Sequence, residues 1–147
     1  MFKRIMIATD GSEISMHAAK QAVGLAKISG AMLTIVYVVD VHRLAQLPGY
    51  AAMSGLKDNL MKSMLKEGNE ATSEIGDMAQ DAGVTYEKVI AEGNPSEELL
   101  RRSQERVDLI VMGSIGRSGL NKFLLGSVAE RVVRHSKVPV LIVPGME

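Results

Sequence analysis

Apolar runs of strand length alternate along this chain with longer segments of helical spacing, and that alternation restricts the fold more than any other feature. Lys3-Arg4-Ile5-Met6-Ile7-Ala8-Thr9 stops at the turn residues Asp10-Gly11-Ser12, which bounds it as a strand. Residues 13–29 follow with Ala19, Ala22, Val23 and Ala26 on one narrow helical stripe, and Gly30 is a natural stop. The run Ala31 to Val39 is almost wholly apolar, as expected of a strand covered on both faces. Residues 41–52 read as irregular. A long helix is predicted over about 53–82, with Gly68 and Gly76 weakening it, then a strand over 84–91 with one wetter face.

Asn94-Pro95-Ser96-Glu97 has the form of a helix start, with Asn94 as cap and Glu97 reaching back. That helix runs to about Arg106, and Val107 to Met112 is another buried strand. Ser127-Val128-Ala129-Glu130 repeats the capping pattern, and Pro139 to Val143 closes the series as a last strand. The order predicts a single α/β domain over residues 1–147: an open parallel sheet with helices on both faces.

Composition agrees with one domain. A chain of 147 residues with 46% hydrophobic content buries roughly 68% of its unfolded surface around one core. Seventeen basic residues balance seventeen acidic ones, so no net field draws the chain to nucleic acid or a membrane surface. The absence of Cys removes disulfide frameworks, thiolate metal sites and thiol nucleophiles. No apolar run approaches a membrane span or a signal peptide, so a soluble, cytoplasmic domain is expected.

In folds of this class, ligands bind where strands end and the winding reverses. Two strand ends carry unusual residues here. One is Ala8-Thr9-Asp10-Gly11-Ser12. The other is Met112-Gly113-Ser114-Ile115-Gly116, continuing to Gly126-Ser127 at a helix start. Its pattern is Gly113-x2-Gly116-x9-Gly126-Ser127. Glycines let backbone N–H groups approach an anion, and a helix N-terminus adds unpaired donors, so such a loop can cradle phosphates without a P-loop lysine. The competing reading is that Gly113 and Gly116 only turn the chain while Ser127 only caps its helix.

With these residues the chain resembles the universal stress protein family, in its nucleotide-binding form. The resemblance spans nearly the whole sequence: Ile7 to Ser12, Tyr37-Val38-Val39-Asp40, Gly93-Asn94-Pro95, Asp108 to Ser114 and Val138 to Val143. It implies a five-stranded Rossmann-like sheet in the order 3-2-1-4-5, with ATP (or ADP or AMP) across the ends of strands one and four. It implies that Ala8, Thr9 and Asp10 border the adenosine, that the backbone of Val38 meets the adenine edge, and that Met112 lines the pocket. Gly113, Ser114, Gly116, Gly126, Ser127 and Val128 form the phosphate cradle. It also implies a homodimer through the last strand, Val138 to Val143, a stress-response regulatory role with slow or no hydrolysis, and an unidentified client protein. Ile115 departs from the pattern, standing where many relatives carry His. It removes one side-chain donor and leaves the backbone cradle intact.

Asp10 has two readings, as a cap for the following helix or as a site residue. A carboxylate facing phosphate is repelled unless Mg²⁺ or Mn²⁺ bridges the two. Arg117 and Lys122 are read as solvated loop cations. His17, His42 and His135 share no metal-ligand spacing, and the ten Met residues are read as adaptable packing. Val41 to Ala52 is long for a simple connection and is expected to act as a flap over the nucleotide. The alternative functions are a slow, self-phosphorylating ATPase and a nucleotide-free dimerisation module. A receiver domain is disfavoured because no acidic pair stands with a late-strand lysine.

Overall fold

The computed structural model describes residues 2–46, 54–115 and 125–145. Ten elements follow in order: β1 (Arg4–Thr9), α1 (Glu13–Ser29), β2 (Met32–Asp40), α2 (Val41–Ala45), α3 (Ser54–Asp81), β3 (Tyr86–Gly93), α4 (Pro95–Ser103), β4 (Leu109–Gly113), α5 (Ser127–His135) and β5 (Val140–Val143). The strands form one sheet in the order β3-β2-β1-β4-β5, and every pairing is parallel. The chain winds from β1 outward to β3, then returns across the sheet to β4. β1 and β4 therefore flank the point where the winding reverses.

Side-chain alternation divides the core into two layers. Ile5 and Ile7 of β1 join Leu33, Ile35, Leu109 and Val111 against α1 and α3. Met6 of β1 and Val36, Ile110 and Met112 of its neighbours pack with Leu99 of α4 and with Ala129 and Val132 of α5. Alanines of α1 (Ala18, Ala19, Ala22, Ala26) are fully or almost fully buried, so this helix lies close on the sheet.

Asp108 fastens the strand starts: its Oδ2 accepts from the backbone N–H groups of Lys3 at 2.7 Å and Arg4 at 2.9 Å. The N–H of Asp108 donates to the Arg4 carbonyl in return. The bond from Lys3, then that from Arg4, holds the Asp108 carboxyl below the usual carboxylate range.

Several expectations are corrected. Val41–Ala45 is helical rather than irregular, because the Asp40 side chain accepts the N–H of Arg43 and starts a turn. Gly68 and Gly76 have a packing role in α3 that the sequence did not show. A Cβ on either would stand 2.8 Å from the Tyr37 ring or 2.7 Å from the Tyr86 ring, so both glycines admit β-sheet tyrosines against the helix. Half of the first capping box forms and neither half of the second. Asn94 accepts from Glu97 N–H at 3.1 Å, but the Glu97 carboxylate points to Arg131 at 3.5 Å. Ser127 is the first residue of α5, not its cap. Gly126 occupies that place with no side-chain bond, while Glu130 pairs with Arg134 at 3.0 Å.

Candidate functional site

The site is built at the C-terminal ends of β1 and β4, the place where open α/β sheets take ligands. Ala8 of β1, Val38 of β2, Met112 of β4 and Val128 of α5 belong to one apolar cluster. Four residues predicted from distant parts of the sequence thus meet on the α5 side of the sheet. Val38 lies one position beyond the Thr9–Tyr37 pair, level with the turn that leaves β1.

α5 is brought to this wall by main-chain bonds. Gly126 N–H donates to the Ser114 carbonyl at 2.7 Å, and Ser114 N–H donates to the Val143 carbonyl at 3.0 Å. Both backbone groups of Ser114 are therefore occupied. Its hydroxyl is buried and has no hydrogen-bond partner among the described residues, an unmet demand beside the helix start. The first turn of α5 follows without a side-chain cap, so its N–H groups and dipole face the crevice end of the sheet.

Thr9 and Gly113 serve the opposite layer. Thr9 Oγ1 lies 3.0 Å from Ser15 Oγ on α1 and accepts the Gly11 N–H at 3.1 Å. A Cβ at Gly113 would stand 2.7 Å from Ile14 Cγ2. The missing side chain at Gly113 makes room for α1, which the phosphate-loop pattern did not anticipate. Asp10 Oδ1 accepts Ser12 N–H at 2.9 Å, and Gly11 takes the left-handed φ of 82° that lets the chain turn into α1. Ser12 caps α1 by accepting Ser15 N–H at 3.2 Å, so capping falls to Ser12 rather than to Asp10. Ile14 and Ser15 were missed in the sequence. The only signal was a serine on the otherwise alanine-lined buried stripe of α1.

Next to Gly11 and Met16, on the α3 side, lies a cavity of about 200 Å³ whose walls include Glu67, Glu70 and Glu74. Three carboxylates on one wall make this cavity unfavourable to an anion. Ile115 is buried. His17 is half-buried on α1, while His42 and His135 are exposed. Among the described residues no three His, Cys, Asp or Glu side chains are grouped to hold a metal ion, and no helix is long and apolar enough to cross a membrane. Gly116, Arg117 and Lys122, and residues 47–52 of the expected flap, lie outside the described residues.

An open parallel sheet in the order β3-β2-β1-β4-β5, wound back once at β1 and β4, defines a Rossmann-like α/β domain. The family model described as "Universal stress protein family" matches residues 1–144, and the chain belongs to that family. It is 41% identical over 145 residues to universal stress protein MJ0531 of Methanocaldococcus jannaschii, covering 97% of this chain and 82% of that one. The fold is similar to the solved structure of hypothetical protein MJ0577, with a TM-score of 0.86, 28% identity and coverage of 100% and 99%. It is also similar to a universal stress protein crystallised in complex with cAMP, with a TM-score of 0.67, 30% identity and 97% of each chain covered.

Proposed function

We propose that this chain is an ATP-binding regulatory module that holds adenine nucleotide through the Gly113-x2-Gly116-x9-Gly126-Ser127 loop and hydrolyses it slowly or not at all. The observation that carries this reading is the meeting of Ala8, Val38, Met112 and Val128 in one apolar wall directly beside the uncapped start of α5. An adenine ring needs the first and a phosphate chain needs the second. The relative held in complex with cAMP supports an adenine nucleotide as the ligand class.

In this reading the backbone at Val38 meets the adenine edge, Met112 lines the pocket, and Asp10 takes the ribose hydroxyls or a phosphate-bound Mg²⁺ or Mn²⁺. The orphaned hydroxyl of Ser114 and the first N–H groups of α5, with Ser127 and Gly126, take the phosphates. A bound divalent ion supplies charge neutralisation between Asp10 and phosphate. Regulation, rather than turnover, suits a β1 turn whose Thr9 hydroxyl is already committed to internal bonds.

The reading extends to a cytoplasmic homodimer that presents a nucleotide-dependent surface to a client protein. Of the two sheet edges, β3 bears Glu87, Lys88 and Glu92, all exposed, whereas β5 is Val-Leu-Ile-Val with Leu141 37% exposed. Charges blunt one edge and leave the other suited to pairing with its own copy. The deciding experiment denatures the purified protein and identifies released nucleotide by chromatography. ATP or ADP near one per chain, lost in a Gly116→Ala, Gly126→Ala variant, is the expected result. A chain that carries none and takes up no added Mg-ATP refutes the reading.

A further inference from the structure

We propose that Thr9 and Ser15 are positioning residues of the site, joined in an ordered hydroxyl chain that locks the turn carrying Asp10. The inference rests on the nucleotide reading and changes the part Thr9 plays in it, from ligand contact to support. The proton order follows from the acceptors. Ser15 Oγ has one hydrogen and donates it to the Ser12 carbonyl at 2.8 Å, since a carbonyl can only accept. The 3.0 Å contact between Ser15 Oγ and Thr9 Oγ1 must therefore use the hydrogen of Thr9. Thr9 Oγ1 in turn accepts from Gly11 N–H. The chain runs Gly11 N–H to Thr9 to Ser15 to Ser12 C=O, and it closes a ring across the turn. Asp10 Oδ1 holds Ser12 N–H within that ring.

Two features separate this arrangement from ordinary helix capping. Capping α1 needs only Ser12 Oγ and the Ser15 N–H, and the Thr9 and Ser15 hydroxyls add bonds that no cap requires. Both residues are also buried, at 6% and 5% exposure, where a broken hydroxyl bond is not replaced by water. Strand alternation puts Thr9 on the α1 layer, opposite the wall formed by Ala8, Val38 and Met112. Its hydroxyl has no hydrogen left to offer a ligand. Through its hydroxyl Thr9 acts on the site by fixing Gly11, and so the place of the Asp10 carboxylate at the end of β1.

The test compares wild type with Thr9→Val, which keeps the shape, Thr9→Ser, which keeps the hydroxyl, and Ser15→Ala. In ligand-free protein, amide hydrogen exchange at Gly11 is expected to rise about tenfold in Thr9→Val and Ser15→Ala. The amides of Ile5 and Ile7 report that the sheet is intact, and Thr9→Ser restores the Gly11 protection. Titration with Mg-ATP and Mg-2′,3′-dideoxy-ATP then reads the ribose contact. Wild type favours ATP, and Thr9→Val and Ser15→Ala lose about tenfold for ATP while the dideoxy analogue changes little. Unchanged Gly11 exchange in both variants overturns the lock. A lost lock with the preference for ATP retained overturns the positioning role. Wild type that binds neither nucleotide refutes the ATP reading instead, and the exchange result then decides the lock by itself.

Discussion

At the scale of single residues, two positions carry consequences that their chemistry alone does not announce. Gly113 reads in the sequence as part of a phosphate loop, yet its missing side chain is filled by Ile14. Gly113→Ala is expected to destabilise the protein by about 1–2 kcal/mol through overpacking. Adding Ile14→Ala should recover part of that loss, which denaturant titration of the double-mutant cycle measures. Asp108 is the second. Its carboxyl is held below its ordinary value by the N–H groups of Lys3 and Arg4. A folded-state pKa below the unfolded one means that the ionised form is favoured by folding. The contribution is present above the ordinary carboxylate pKa and is lost as pH falls through the lower folded value. Thermal unfolding followed from pH 6 down into the acid range should therefore decline more steeply in wild type than in Asp108→Asn, which has no charge to lose. Neither role was visible in the sequence, because a turn glycine and a strand-start aspartate look the same whatever lies opposite them.

Helices and strands were the most legible level, and their boundaries the least. Hydrophobic period placed the helices of residues 13–29 and 54–81 and all five strands, since burial on one stripe or on both faces leaves a direct mark in sequence. It failed where a partner outside the element decides. Glu97 and Glu130 were read as capping glutamates, and arginines of α5 take them instead. Gly76 and Gly24 show the same division. Both sit inside helices, where intrinsic propensity predicts a gain of about 1 kcal/mol from Ala. A Cβ at Gly24 meets nothing within 4 Å, whereas one at Gly76 meets Tyr86 at 2.7 Å. Gly24→Ala is expected to stabilise by about 0.5–1 kcal/mol, while Gly76→Ala is expected to destabilise, with opposite shifts in the denaturant midpoint.

For the whole molecule, the winding reversal between β1 and β4 sets the layout of the sheet. It opens the crevice at one end of the sheet and leaves β3 and β5 as edges of unlike character. If β5 pairs with its copy, Leu141→Lys should convert a dimer to a monomer in sedimentation velocity, and a charge reversal at an exposed position of β3, Glu92→Lys, should leave the dimer in place. The sequence alone determined the α/β class, the count of strands and the position of the glycine pattern. Each of these is written in local periodicity or in short-range spacing, which neighbours along the chain specify. Tertiary structure alone decided that Ala8, Val38, Met112 and Val128 share a wall while Thr9 turns away from it. It also decided that the backbone groups of Ser114 are both bonded, to Gly126 and Val143, and that Ser15 meets Thr9 at the end of β1. These depend on which faces of distant strands and helices are brought together. A residue's hydrogen-bond partners and packing neighbours come from the whole winding of the chain, and the local pattern does not contain them.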